Sequence, residues 1–377
     1  MEDEQLLTPV RRRKLRRGYT TGACATAAAL AATRALLAQQ PQQEVTIHLP
    51  AGIDATFRLE RCLFNARAAE CAVIKDAGDD PDVTHGAEIV ARVEYGTAPG
   101  LVLAGGVGVG VVTRPGLGLE IGGPAINPVP RRMLTEHITA AAAECLREQG
   151  LRVEISVPRG EELARRTLNA RLGILGGLSI LGTSGLVIPY STAAWRASVE
   201  QAVDVAAANG QRHIVLSTGS RSEQYAQRLL PLPEVAFVEM GEFTGHALRR
   251  CLRHAIERVT LVGMIGKLSK IAQGHMMTHV AGNRVDLVFL AEVAARCGAS
   301  PALQEAIRAA NTARHFQELA LAAGLHAVFD YLAALVCEQC QRVVQGRLAV
   351  GCLLFDFERA PGELPPVLGR AERAAYA

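Results

Sequence analysis

Apolar residues follow two different rhythms along this chain. In the first part, short apolar runs at 45–49, 56–59, 69–74, 87–95 and 153–157 are bounded by turn residues and predict strands. An alanine-rich stretch reaching about 38 and a second stretch over 133–149 predict helices. From 172 onward, strand candidates at 174–181, 213–217, 235–239 and 259–264 alternate with helical stretches at 194–208, 223–230, 244–256, 267–274 and 284–297. Strand alternating with helix predicts parallel strands joined by right-handed crossovers. Residues 301–345 read as helical and 347–357 as an apolar strand. The expected fold class is α/β, with two dissimilar α/β domains. An N-terminal α+β domain with a mixed sheet covers 1–160 and a doubly wound Rossmann-like domain covers 161–300. C-terminal helices and a closing strand cover 301–377.

Polar residues gather where the later strands end. Gly182-Thr183-Ser184-Gly185, Thr218-Gly219-Ser220-Arg221, Glu239-Met240-Gly241-Glu242 and the segment 263–267 each read as a glycine-containing turn into a helix. One such turn is ordinary loop chemistry. Four together predict a ligand crevice, because open α/β sheets bind ligands beyond the carboxyl ends of their strands. Glu239 is placed to hydrogen-bond ribose hydroxyls.

The densest polar stretch is 73–86, V-I-K-D-A-G-D-D-P-D-V-T-H-G. Gly78 and Pro81 force a bend, so its four aspartates cannot share a helix face. Crowded carboxylates repel one another and need solvent or partners. Two readings stand: a solvated loop whose aspartates cap turns, or a wall of an active site.

Composition narrows the classes. The net charge of +3 and an aromatic content of 4% argue against a nucleic-acid binder. Nine cysteines without a framework point to a reducing cytoplasm. The uncharged span 172–193 is long enough to cross a bilayer, but its glycines and Pro189 favour a buried strand and loop, hence no membrane partner. Of the four lysines, Lys75, Lys267 and Lys270 stand in the most distinctive stretches. Several motifs fail their context tests. Residues 105–110 imitate a dinucleotide fingerprint but no helix follows, so they read as a close-packed strand or a close backbone approach. Residues 263–269 imitate a P-loop with too short a spacing, although Lys267 remains a possible anion contact. His275 and His279 lack the glutamate of a zinc protease, Cys337 and Cys340 have no second pair, and no metal site is expected.

The segments 18–24, 73–86, 112–130, 182–190, 217–223, 240–249 and 263–279, taken in this order, resemble one family. It is the cobalt-precorrin-5B C(1)-methyltransferases of anaerobic cobalamin biosynthesis. The match spans most of the chain and loosens over 296–345 and the tail. The resemblance implies S-adenosylmethionine as methyl donor and a cobalt-containing, carboxylate-rich tetrapyrrole as acceptor. With it, Gly182, Thr183, Ser184, Gly219, Ser220 and Glu239 become the expected cofactor contacts. Arg114, Arg131, Arg132, Arg221 and Lys267 become candidates for the acceptor's carboxylates, since arginine pairs with these bidentately. Asp79, Asp80 and Asp82 would favour the sulfonium, with Asp80 or His85 accepting a ring proton. A phosphotransferase and a non-catalytic tetrapyrrole carrier are the competing classes.

Overall fold

The computed structural model describes residues 15–278, 285–357, 363–364 and 366–376; His279 lies outside them, as do the first four residues of the stretch 11–17, R-R-R-K-L-R-R, which reads from sequence as a basic run, either a solvated tail or a clamp on a polyanionic ligand. The chain forms two compact units that meet at Ser191/Thr192. This differs from the boundaries expected at 160 and 300, and the reason lies in strand pairing. Residues 174–175 do not open a second sheet. They pair with Val111–Val112 of the first unit.

The N-terminal unit contains β1 (Gly18–Tyr19), α1 (Thr21–Ala38), β2 (Glu44–Leu49), β3 (Ile53–Arg58), β4 (Arg61–Phe64), β5 (Ala68–Ile74), β6 (Glu88–Tyr95), β7 (Leu101–Gly105), β8 (Val111–Val112), α2 (Pro128–Glu148), β9 (Leu151–Ser156), α3 (Gly160–Ala164), β10 (Ile174–Leu175) and β11 (Leu186–Val187). Its main sheet is mixed, in the order β4-β5-β6-β9-β7, with only β7 and β9 parallel. Helix α1 is the centre of this unit. Its N-cap Thr20 accepts a hydrogen bond from the Ala23 amide, and Gln39 ends it in the left-handed region. Alanines let α2, β5 and β6 pack closely on it. The helix is apolar and long enough to cross a membrane, but 83% of its residues are buried and it serves as core. The glycine run at 105–110 is a turn of close backbone approach rather than a continuous strand. A Cβ on Gly108, at φ 71°, would lie 1.9 Å from the Val157 carbonyl oxygen.

The C-terminal unit contains α4 (Thr192–Ala208), β12 (His213–Ser217), α5 (Ser220–Leu229), β13 (Phe237–Glu239), α6 (Thr244–Leu252), β14 (Arg258–Met264), α7 (Ile265–Ala272), α8 (Leu287–Arg296), α9 (Pro301–Arg308), α10 (Ala313–Ala322), α11 (Ala327–Val344), β15 (Ala349–Phe355) and β16 (Val367–Arg373). The sheet order is β13-β12-β14-β15-β16, parallel except for the edge pair β15–β16. Residues 301–377 are therefore not a separate layer: β15 and β16 complete this sheet, and α11 packs on them. Strand residues alternate between two cores. Ile214, Leu216, Val259 and Leu261 face the larger one with α6, α7 and α11, while Val215, Val262 and Phe355 meet Tyr225 and Ala226 of α5. The chain leaves β12 toward β13, then crosses back to β14 on the other side. The reversal point of the winding lies between β12 and β14.

Candidate active site

The acidic loop joins β5 to β6. Gly78 bends it at φ 69°, and its backbone bridges Arg17, just ahead of β1. A Cβ there would lie 2.1 Å from the Arg16 carbonyl oxygen, so loop and N-terminal segment touch backbone to backbone. Strand β1 pairs in turn with β11.

The loop's carboxylates are mostly engaged locally. Asp76 is paired with the Arg16 guanidinium and accepts the Gly78 amide at 2.9 Å. Arg16 first, and then that amide, hold its carboxyl down at about 2. Asp79 accepts the Arg16 amide at 2.6 Å, and Asp80 Oδ1 accepts the Tyr190 amide at 2.9 Å. Asp82 accepts from Lys75 Nζ at 2.6 Å and from the Thr84 hydroxyl and amide at 2.6 and 2.7 Å. Burial pushes Asp82 up, but the Lys75 charge and these hydrogen bonds outweigh it and hold the carboxyl below its ordinary value. His85 Nδ1 accepts the Ala77 amide at 3.1 Å. An accepting Nδ1 puts the proton of a neutral ring on Nε2, which makes that nitrogen a donor. The remaining oxygen of Asp80 is thus the better-placed acceptor. Tyr190, whose backbone Asp80 holds, has a left-handed φ of 56° and an exposed ring.

Gly182, Thr183 and Ser184 belong to this same N-terminal unit, not to the second sheet. Gly182 stands against Thr20, the Thr21 hydroxyl accepts the Leu181 amide at 2.9 Å, and Ser184 Oγ donates to the Leu186 carbonyl at 3.3 Å. They belong to a different sheet and unit from the turns of Gly219, Ser220 and Glu239, because β10 and β11 pair within the N-terminal unit. Arg114 lies along Gly173 and donates to the Arg171 carbonyl at 3.5 Å. Arg131 and Arg132 are exposed near the start of α2, Arg132 lying 3.8 Å from Glu136.

In the C-terminal unit, a cavity of about 890 Å³ opens at the carboxyl ends of β12 and β14. Its lining includes Gly219, Ser220, Arg221, Lys267, Lys270 and Arg314. It occupies the reversal point of the sheet, where a parallel α/β sheet leaves room for a ligand. Residues 263–269 are the end of β14 followed directly by α7, with no loop to wrap a phosphate. Lys267 Nζ donates to the Thr218 carbonyl at 2.5 Å, and burial lowers its pKa against the pull of Glu242 and Glu239. Glu239 ends β13 in register with Ser217. Lys270 and Arg314 were not singled out as ligand contacts from sequence. The position of Lys270 three residues after Lys267 was the available signal; Arg314 carried none, because the return of α10 to the sheet end is a tertiary feature.

The nine cysteines are free thiols, and burial pushes Cys24, Cys251 and Cys337 up to about 12, which keeps these three protonated at neutral pH. No cluster of metal-ligating side chains occurs among the described residues.

Fold and site define an α/β protein with a cavity at the strand ends of a mostly parallel sheet in one unit and an acidic loop in the other. The family described as CbiD matches residues 8–189, and its C-terminal domain matches residues 277–361. The chain belongs to the CbiD family. It is 50% identical to the cobalt-precorrin-5B C(1)-methyltransferase of Geobacillus kaustophilus, over 92% of this chain and 93% of that protein. The proteins of the same name from Salinispora arenicola and Thermus thermophilus are each 53% identical. They cover 92% and 90% of this chain and 91% of their own length in both cases. A solved cobalamin biosynthesis protein (cbiD) from Archaeoglobus fulgidus is 32% identical, covering 68% of this chain and 79% of its own, with a TM-score of 0.38.

Proposed function

We infer that the protein performs the reaction its relatives are named for, transfer of a methyl group to C-1 of cobalt-precorrin-5B. The observation that carries this is identity of 50% or more over at least nine-tenths of the chain to proteins bearing that one name.

S-adenosylmethionine is the donor in this reading, and when bound it supplies an electrophilic methyl on a sulfonium. In this reading the crevice of the C-terminal unit takes the nucleoside. Gly219 gives close backbone access at the start of α5. Glu239 follows Thr218 by about 20 residues, the separation at which an acidic side chain meets a ribose hydroxyl in nucleotide-binding sheets. Arg221 and Lys267 give the same cavity positive charge. Arg114, Arg131 and Arg132 are our candidates for the acceptor's carboxylates.

Methyl transfer breaks the sulfur–methyl bond and forms a carbon–methyl bond, the sulfonium's positive charge passing to the macrocycle; loss of one proton elsewhere on the ring restores its charge. Asp80 is our candidate to accept that proton, with His85 Nε2–H as a neighbouring donor. Asp79 and Asp82 act by holding the loop. Most of the acceleration comes from alignment of the reacting atoms in a dry site. The test is incubation of purified protein with methyl-deuterated S-adenosylmethionine and cobalt-precorrin-5B, followed by mass spectrometry of the tetrapyrrole. One labelled methyl per ring is expected. An unlabelled tetrapyrrole at full conversion of a positive control would refute the assignment.

A further inference from the structure

Three helices begin at the wall of the C-terminal cavity: α5 at Ser220, α7 at Ile265 and α10 at Ala313. Each N-terminus carries about half a positive charge. Arg221, Lys267 and Arg314 stand in the first turns of those helices, where a cation is least favoured. Two of these cations have evident compensation. Arg314 pairs with Glu318 at 3.1 Å and lies over the Phe357 ring, and Lys267 feels Glu242 and Glu239.

Lys270 has no such compensation. It is 5% exposed, and among the described residues its ammonium makes one hydrogen bond, to the Thr278 carbonyl at 3.3 Å. Burial alone pushes its pKa down, with no carboxylate opposing the shift. Thr278 is 2% exposed, and its hydroxyl has no hydrogen-bond partner among the described residues. Both residues line the cavity. A buried ammonium has three protons to place and a buried hydroxyl at least one, so leaving them unmatched is costly. Among the described residues, every charged side chain lining the cavity is cationic.

We propose that Lys270 and Thr278 form a carboxylate-binding subsite of this cavity, the ammonium providing charge and the hydroxyl a second donor. The chemistry has two possible sources: the α-carboxylate of the donor's amino-acid part, or a side-chain carboxylate of the acceptor. The first source rests on the donor reading given above; the second does not.

Isothermal titration separates the outcomes. The probes are S-adenosylhomocysteine, 5′-methylthioadenosine, which lacks the amino-acid part, and uroporphyrin, a tetrapyrrole polycarboxylate. The variants are Lys270→Met and the near-isosteric Thr278→Val, which carries the comparison alone should the first not fold. For a donor carboxylate, Lys270→Met weakens S-adenosylhomocysteine about 10-fold or more and leaves methylthioadenosine unchanged. For an acceptor carboxylate, uroporphyrin weakens instead. Unchanged affinity for all three probes overturns the subsite. So does equal weakening of S-adenosylhomocysteine and methylthioadenosine, since the loss would not follow the carboxylate. Glu239→Ala is read separately. Unchanged nucleoside affinity in that variant removes the ribose assignment, while a carboxylate-dependent loss at Lys270→Met still supports the subsite.

Discussion

Lys75 is 1% exposed, and its Nζ is paired with Asp82 at 2.6 Å. Removing one member of a buried pair leaves the other uncompensated, which costs about 3–5 kcal/mol. Lys75→Met should therefore destabilise the protein by about that amount in urea unfolding, with the acidic loop losing order. The loop also sets a pH dependence. Asp76 and Asp82 both have folded pKa values below their unfolded ones, Asp76 at about 2. Each contributes stability that is present above the unfolded carboxylate range and is lost as pH falls through the folded value. The urea midpoint should thus fall on acidification from about pH 4 toward 2, and Asp76→Asn should flatten part of that fall. For chemistry, Asp80→Asn keeps an acceptor for the Tyr190 amide but not a base. Turnover should drop about 100-fold or more with the melting temperature unchanged. Near-normal turnover in that variant would remove Asp80 from the reaction.

At the scale of elements, local pattern was readable and pairing was not. The strands β2, β5, β6, β9, β12 and β14 were legible because apolar runs bounded by turn residues mark a strand whatever it pairs with. Helix α1 was legible from its alanines. The segment 174–181 was misassigned because an apolar run does not reveal its partner: Ile174–Leu175 pairs with Val111–Val112, more than sixty positions earlier. The error carried Gly182, Thr183 and Ser184 into the wrong sheet. Likewise, 347–357 read as a strand, but nothing local told that β15 would lie beside β14. The glycine run at 105–110 was correctly set apart from a nucleotide fingerprint, and its close backbone approach gives a prediction. Gly108→Ala combines a positive φ with a Cβ 1.9 Å from the Val157 oxygen. It should cost about 3 kcal/mol, read as a lowered urea midpoint. A neutral result would mean that the backbone contact relaxes freely.

At the scale of the whole molecule, a net charge of +3 conceals local patches of unlike sign. The acidic loop and the cationic cavity belong to different compact units. The crevice was legible because strand–helix alternation and glycine turns are local features whose consequence, a ligand site beyond the strand ends, is general to parallel sheets. Its charge was legible only in part. Arg221 and Lys267 stood in the turns themselves, whereas Lys270, Thr278 and Arg314 reach the cavity through α7, the segment after it and α10.

The central claim is that this crevice holds the methyl donor. Hydrogen–deuterium exchange of the full chain with and without S-adenosylhomocysteine tests it most directly. The account predicts slowed exchange over 217–223, 239–242 and 264–270. Protection confined to 18–24 and 182–187, with the sheet-end turns unchanged, would contradict it and move the donor to the N-terminal unit.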